Sequence, residues 1–76
     1  MDDLSTVEVL TTVSRGVRND PFRWERCVEQ QRRRLRALVP HHRRSVGDVS
    51  YAVVEYPAEP AKPSEKTYRF VLHHTA

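Results

Sequence analysis

Asn19-Asp20-Pro21 and Pro40 bracket the segment that most restricts how this chain can fold. Asp20 is suited to accept the orphan amides of a helix start. Pro21 at the first helical position needs no hydrogen bond and already has the right φ, and Pro40 supplies the stop. With successive residues set 100° apart, Trp24, Cys27, Val28, Gln31, Leu35, Leu38 and Val39 share an arc from about 140° to 260°. The spacing predicts one amphipathic helix, about 28 Å long at 1.5 Å per residue, crossing the whole domain. A chain of 76 residues with 38% apolar content has little left from which to build a second core, since average domains carry roughly 45 to 50%. Residues 1–76 are therefore read as a single domain, and barrel enzymes and doubly wound nucleotide folds are excluded on length.

Two strands follow. The run from Asp48 to Tyr56 is β-branched and aromatic, and the run from Lys66 to His74 alternates, with Tyr68, Phe70 and Leu72 on one face and Thr67, Arg69, Val71 and His73 on the other. Residues 57–66, with Pro57, Pro60 and Pro63, read as a mobile extended hairpin loop, because proline cannot donate to a ladder. The run from Asp48 is apolar on both faces. One helix covers one side of a hairpin, so the remaining area asks for another strand, another helix or a second copy of the chain.

Ser5 to Arg15 is open to two readings. Thr6, Val7, Val9, Thr11, Thr12 and Val13 favour a strand, whereas Ser5 with Glu8 has capping-box spacing and Val9, Leu10, Val13 and Val17 lie along one helical face. The strand is preferred, with Gly16 and Asn19 in the turn that follows. The expected class is α+β: one long amphipathic helix packed on a small, mainly antiparallel sheet in the order β-α-β-β, the alternative being two helices and a hairpin. Should the first strand run parallel to a neighbour, the helix is their right-handed crossover. Residues 1–5 and 75–76 are expected to fray.

The charge is unevenly placed. Residues 21–47 hold eight arginines against Glu25 and Glu29, a net of +6, whereas residues 1–20 sum to −2 and residues 48–76 to −1, for the overall +3. On one flank of the helix Glu25, Glu29, Arg32 and Arg36 neutralise one another at i+3 and i+4 spacing. The other flank, Arg23, Arg26, Gln30, Arg33 and Arg34, contains no acid, although Arg26 and Arg33 reach Glu29. Extended by Arg43 and Arg44 beyond Pro40, that flank is the candidate surface for tracking a phosphate backbone, since guanidinium forks suit phosphate oxygens. A solvated helix face and a dock for an acidic protein use the same residues.

Chemistry beyond binding has weak candidates. His41-His42 and His73-His74 with Cys27 offer zinc-type ligands, but adjacent strand residues point to opposite faces and the spacing matches no zinc motif. No metal and no cofactor is expected. His73 and His74 are read as part of the fraying end, His41 and His42 as a loop near a helix C-terminus. Cys27 and Trp24 sit on the apolar stripe and read as core. The carboxylates are scattered and the chain has only Gly16 and Gly47, so neither an acid–base pair nor a phosphate loop can be drawn. A single cysteine excludes an intrachain disulfide, no apolar run reaches the length of a membrane span, and Met1-Asp2-Asp3 lacks the basic flank of a signal peptide. The expectation is a cytoplasmic, non-enzymatic regulatory module that binds DNA or RNA. The alternative is an adaptor or inhibitor that docks on another protein through its sheet or its arginines. A homodimer is expected from the thin core.

Overall fold

The computed structural model describes residues 3–55 and 64–76. Five elements follow one another: strand β1 (Leu4–Ser14), a single helical turn α1 (Arg15–Arg18), helix α2 (Pro21–Leu38), strand β2 (Ser45–Val53) and strand β3 (Glu65–Thr75). The strands form one antiparallel sheet in the order β1-β3-β2, with α2 packed on one side, so the class is α+β. The first segment is a strand, and the two-helix alternative is excluded. No parallel pair forms among the described residues: β1 lies against β3, not β2, so α2 carries the chain from one edge of the sheet to the other.

The ends of α2 follow from local chemistry. The Asp20 carboxylate accepts from the backbone N–H of Phe22 (3.0 Å) and Arg23 (3.3 Å), while Pro21 occupies the first turn. Val39 turns to an extended conformation (φ −70°, ψ 129°), as a residue before proline is driven to do by the Pro40 ring. Asp20→Ala is expected to remove about 1 kcal/mol of stability, read as a lower urea midpoint at unchanged slope. One step earlier, the Ser14 hydroxyl caps α1 by accepting from the Val17 N–H (3.4 Å), a turn that the β-branched run before it hides.

Alternation decides which strand residues go inside. Val7, Val9 and Val13 of β1 and Tyr68, Phe70 and Leu72 of β3 face α2, in the register Val7 opposite Leu72 and Val9 opposite Phe70. Val28, Leu35, Phe70 and Leu72 form the buried cluster, with Val7, Val9, Trp24, Cys27, Val39, Val49 and Tyr68 packed around it. Trp24 joins this core, its ring 5.2 Å from Tyr51 and 5.1 Å from Tyr68. Of the predicted helical stripe, Leu38 departs: as the last residue of α2 it is exposed. Gln31, polar but on the stripe, is buried and satisfied, its Oε1 accepting from the Thr11 hydroxyl (3.0 Å) and from Arg34 Nη1 (3.0 Å).

Three sequence boundaries move. β2 starts at Ser45 instead of Asp48 and ends at Val53. Gly47, with φ 72°, lies within an irregularity where β2 advances from Val46 to Ser50 while β3 moves only from His73 to Val71. Gly47 is the left-handed residue of this bulge. Tyr56 and residues 57–63 of the expected loop lie outside the described residues, whereas Glu65, assigned to that loop, belongs to β3 together with Lys66, where the expected strand starts. Ends expected to fray are paired: Leu4 faces Thr75 and Ser5 faces His74, and the Thr75 N–H donates to the Arg44 carbonyl (2.8 Å). His74 is buried on the helix side, its Nδ1 donating to the Thr75 carbonyl (2.7 Å), because β3 is the central strand and is held from both flanks.

Candidate nucleic-acid interface

The two flanks of α2 differ in what holds their guanidinium groups. Arg32 lies beside β2 and grips Asp48 with both forks, Nε to Oδ1 at 2.9 Å and Nη2 to Oδ2 at 3.0 Å, while Nη1 reaches Glu29 at 3.1 Å. This pairing pushes the Arg32 guanidinium pKa upward and holds the Asp48 carboxyl below its ordinary value, the hydrogen bond from Arg32 being the main cause and the Val49 N–H the next. Helix periodicity anticipates the Glu29 contact. It is blind to Asp48, which comes from another element.

The opposite flank looks toward β1. Arg23 stands 3.7 Å from Asp20 and Arg33 3.7 Å from Glu29, both as exposed side chains, so these are loose surface pairs of the kind that salt screens. The flank is thus less acid-free than its sequence reads. Arg26, Arg34 and Arg44 have no carboxylate side chain within 4.0 Å among the described residues, and Arg43 donates to the main-chain oxygen of Ala76. The Arg34 guanidinium is steadied from within by the buried Gln31 oxygen, which in turn accepts from Thr11 of β1. A neutral acceptor fixes the geometry and leaves the charge uncancelled.

Two open clefts run along this flank. Thr11, Ser14, Arg23, Arg26, Gln30 and Gln31 line the larger, of about 650 Å³, with Glu65 as its only carboxylate. The smaller, about 420 Å³, lies among Arg26, Glu29, Gln30 and Arg33, so Arg26 is common to both. Arg34 lines neither, and nor do Arg43 and Arg44. The latter two follow the turn closed by the Arg43 N–H on the Pro40 carbonyl (2.9 Å) and stand beside the end of β3, the Arg43 guanidinium donating to the Ala76 carbonyl and the Arg44 N–H to Thr75 Oγ1 (3.0 Å). The six candidate arginines therefore divide into four on the flank and two at the far end of the sheet. α1 packs against the start of α2, where a β-carbon on Gly16 would meet Arg23 Nη1 at 3.8 Å.

The remaining chemical candidates are set by their surroundings. Burial pushes the Cys27 thiol pKa up, partly offset by a hydrogen bond with Gln31, so the nucleophilic thiolate is disfavoured. His73 is exposed on the face away from the helix and His74 is buried on the other. Among the described residues no three of His, Cys, Asp and Glu come together in a group able to hold a metal ion. No described helix is long and apolar enough to cross a membrane. No protein-family model, curated protein or solved structure matches the chain.

Proposed function

We propose that this protein is a small non-enzymatic regulatory module of the cytoplasm that holds nucleic-acid phosphates on the β1-facing flank of α2, through Arg23, Arg26, Arg33 and Arg34, with Arg43 and Arg44 as a second contact. One contrast carries the reading. Arg32 is locked to two carboxylates, whereas Arg33 has only a loose 3.7 Å pair with Glu29 and Arg34 meets the neutral Gln31 oxygen, which leaves its charge available to a partner. Guanidinium groups that shed only water and counterions on meeting phosphate give favourable, salt-sensitive binding without a base-reading element. The cleft between α2 and β1 gives the backbone a track to follow.

Fluorescence anisotropy with mixed-sequence DNA and RNA at two salt concentrations tests it. With four phosphates neutralised, affinity for duplex DNA should fall about a hundredfold between 50 and 200 mM salt. Absence of binding at low salt supports the second reading, in which the module docks on an acidic protein or blocks one. That reading has its own observation: Tyr51 and Val53 on β2, opposite Phe70 and Tyr68 on the helix side of the sheet, are still 47% and 46% exposed, an aromatic and aliphatic pair of the kind found at interface anchors.

A further inference from the structure

The two edges of the sheet are not equivalent. β2 is interrupted by the irregularity around Gly47, and its unbroken pairing with β3 spans only Ser50 to Val53. A bulge of this kind is a standard protection against unwanted strand addition. β1 has no such device: all eleven residues from Leu4 to Ser14 keep one register with β3, and among them are no proline, glycine or lysine and a single charge, Glu8. The phase of its backbone is fixed by the Ala76 N–H donating to the Asp3 carbonyl (3.1 Å). In an antiparallel ladder the odd residues Asp3 to Val13 then bond to β3, and Leu4, Thr6, Glu8, Leu10 and Thr12 direct their N–H and C=O to the open edge. On β3, the Val54 N–H donating to Thr67 O (2.8 Å) agrees, since Thr67 is thereby committed to the β2 side and not to its β1 partner Thr12. The side chains of those same even residues lie on the sheet face that α2 does not cover, where Leu4 is 53% and Leu10 47% exposed.

We infer that the β1 edge is a self-association surface, on which a second copy of this chain adds its own β1 antiparallel about a two-fold axis at Val7. The strand is self-complementary in that register alone. With the axis at Val7, Leu4 opposes the partner's Leu10 on both sides of the axis, and Thr6 opposes the partner's Glu8. With the axis at Glu8 two carboxylates face each other. With it at Thr6 or Val9 a leucine faces Glu8, and with it at Leu10 the Leu4 side chains have no counterpart. The Val7 register covers the half-exposed leucines, satisfies the free backbone groups of Leu4, Thr6, Glu8 and Leu10, and makes one six-stranded sheet with both helices on the same face. This surface is the backbone edge of β1 and the face that α2 leaves bare, whereas the arginine flank adjoins it on the α2 side, and its test needs no nucleic acid.

Sedimentation equilibrium on the wild-type chain and on Thr6→Lys and Thr6→Glu decides it. Thr6 is exposed on the uncovered face, so neither change disturbs the core, and circular dichroism confirms that each variant is folded. The expected result is a monomer–dimer equilibrium that Thr6→Lys tightens and Thr6→Glu weakens, each by about three- to thirtyfold, because the pair with the partner's Glu8 occurs twice per dimer. A wild-type chain that stays monomeric to about 1 mM overturns the inference, as does a dimer indifferent to the sign of the charge at position 6.

Discussion

Phe70→Ala is expected to lose about 3 to 5 kcal/mol and to leave much of the chain unfolded at 25 °C, the largest single-residue effect in the molecule. Phe70 is fully buried at the middle of the central strand. Val9 and Tyr51 are its cross-strand partners, and its ring lies 5.5 Å from that of Tyr51 and 6.3 Å from those of Trp24 and Tyr68. Its removal empties the one place where both outer strands and the helix converge, and a sheet cannot collapse into such a hole without breaking pairing on two sides. The margin is small: five hydrophobic side chains are buried among the described residues, and domains of this size have only a few kcal/mol in hand. Urea unfolding followed by far-ultraviolet circular dichroism measures the loss. Phe22→Ala is the matched control, since that ring is 82% exposed on the solvent side of α2 and its removal should change stability by less than about 0.5 kcal/mol. Equal effects from the two phenylalanines would contradict the packing described above.

The second large effect concerns binding. Arg26→Gln, Arg34→Gln and Arg44→Gln combined should flatten the dependence of log affinity on log salt by about 2.7, roughly 0.9 for each phosphate that is no longer neutralised. Near 50 mM salt that corresponds to roughly a thousandfold weaker binding, at about tenfold for each arginine replaced. Stability should be nearly unchanged, because all three are exposed and have no carboxylate within 4.0 Å among the described residues. Arg32→Gln is the informative opposite. It breaks the hydrogen bonds to Asp48 and Glu29, so it should lower the urea midpoint while leaving the salt slope alone. If Arg32→Gln weakens binding as much as Arg34→Gln does, distribution of charge over the helix does not matter and the phosphate-track reading fails.

How much of this was legible in the residues depends on the range over which each feature is decided. Helix α2 is written locally: Asp20 and Pro21 open it, Pro40 closes it, and the stripe from Trp24 to Val39 names the side that packs. The inward face of β3 is equally plain, since alternation of Tyr68, Phe70 and Leu72 needs no neighbour to interpret it. β1 required a judgement between β-branching and the Ser5–Glu8 spacing, and the strand prevailed because Val7 and Val9 find Leu72 and Phe70 to pair with. The start of β2 was hidden by Gly47, which the backbone uses for a bulge. Strand order was not readable at all, because nothing in β1 itself says that its neighbour lies sixty residues away. The arginine flank shows the same limit from the other side. Its angular grouping follows from 100° per residue, whereas the anchoring of Gln31 by Thr11 and the capture of Arg32 by Asp48 depend on strands that the helix cannot foresee.

Placing β3 between β1 and β2 has a consequence for the order of events during biosynthesis. Among the described residues the two outer strands are hydrogen-bonded to β3 and not to each other, and Leu4 must wait for Thr75. As a nascent chain leaves the ribosome, residues 1–55 can form a helix and expose two unmated ribbons, but no sheet, until residues 65–75 emerge. Closure over so many intervening residues is slow relative to helix formation. The protein should therefore become protease-resistant in one late step, not by stages.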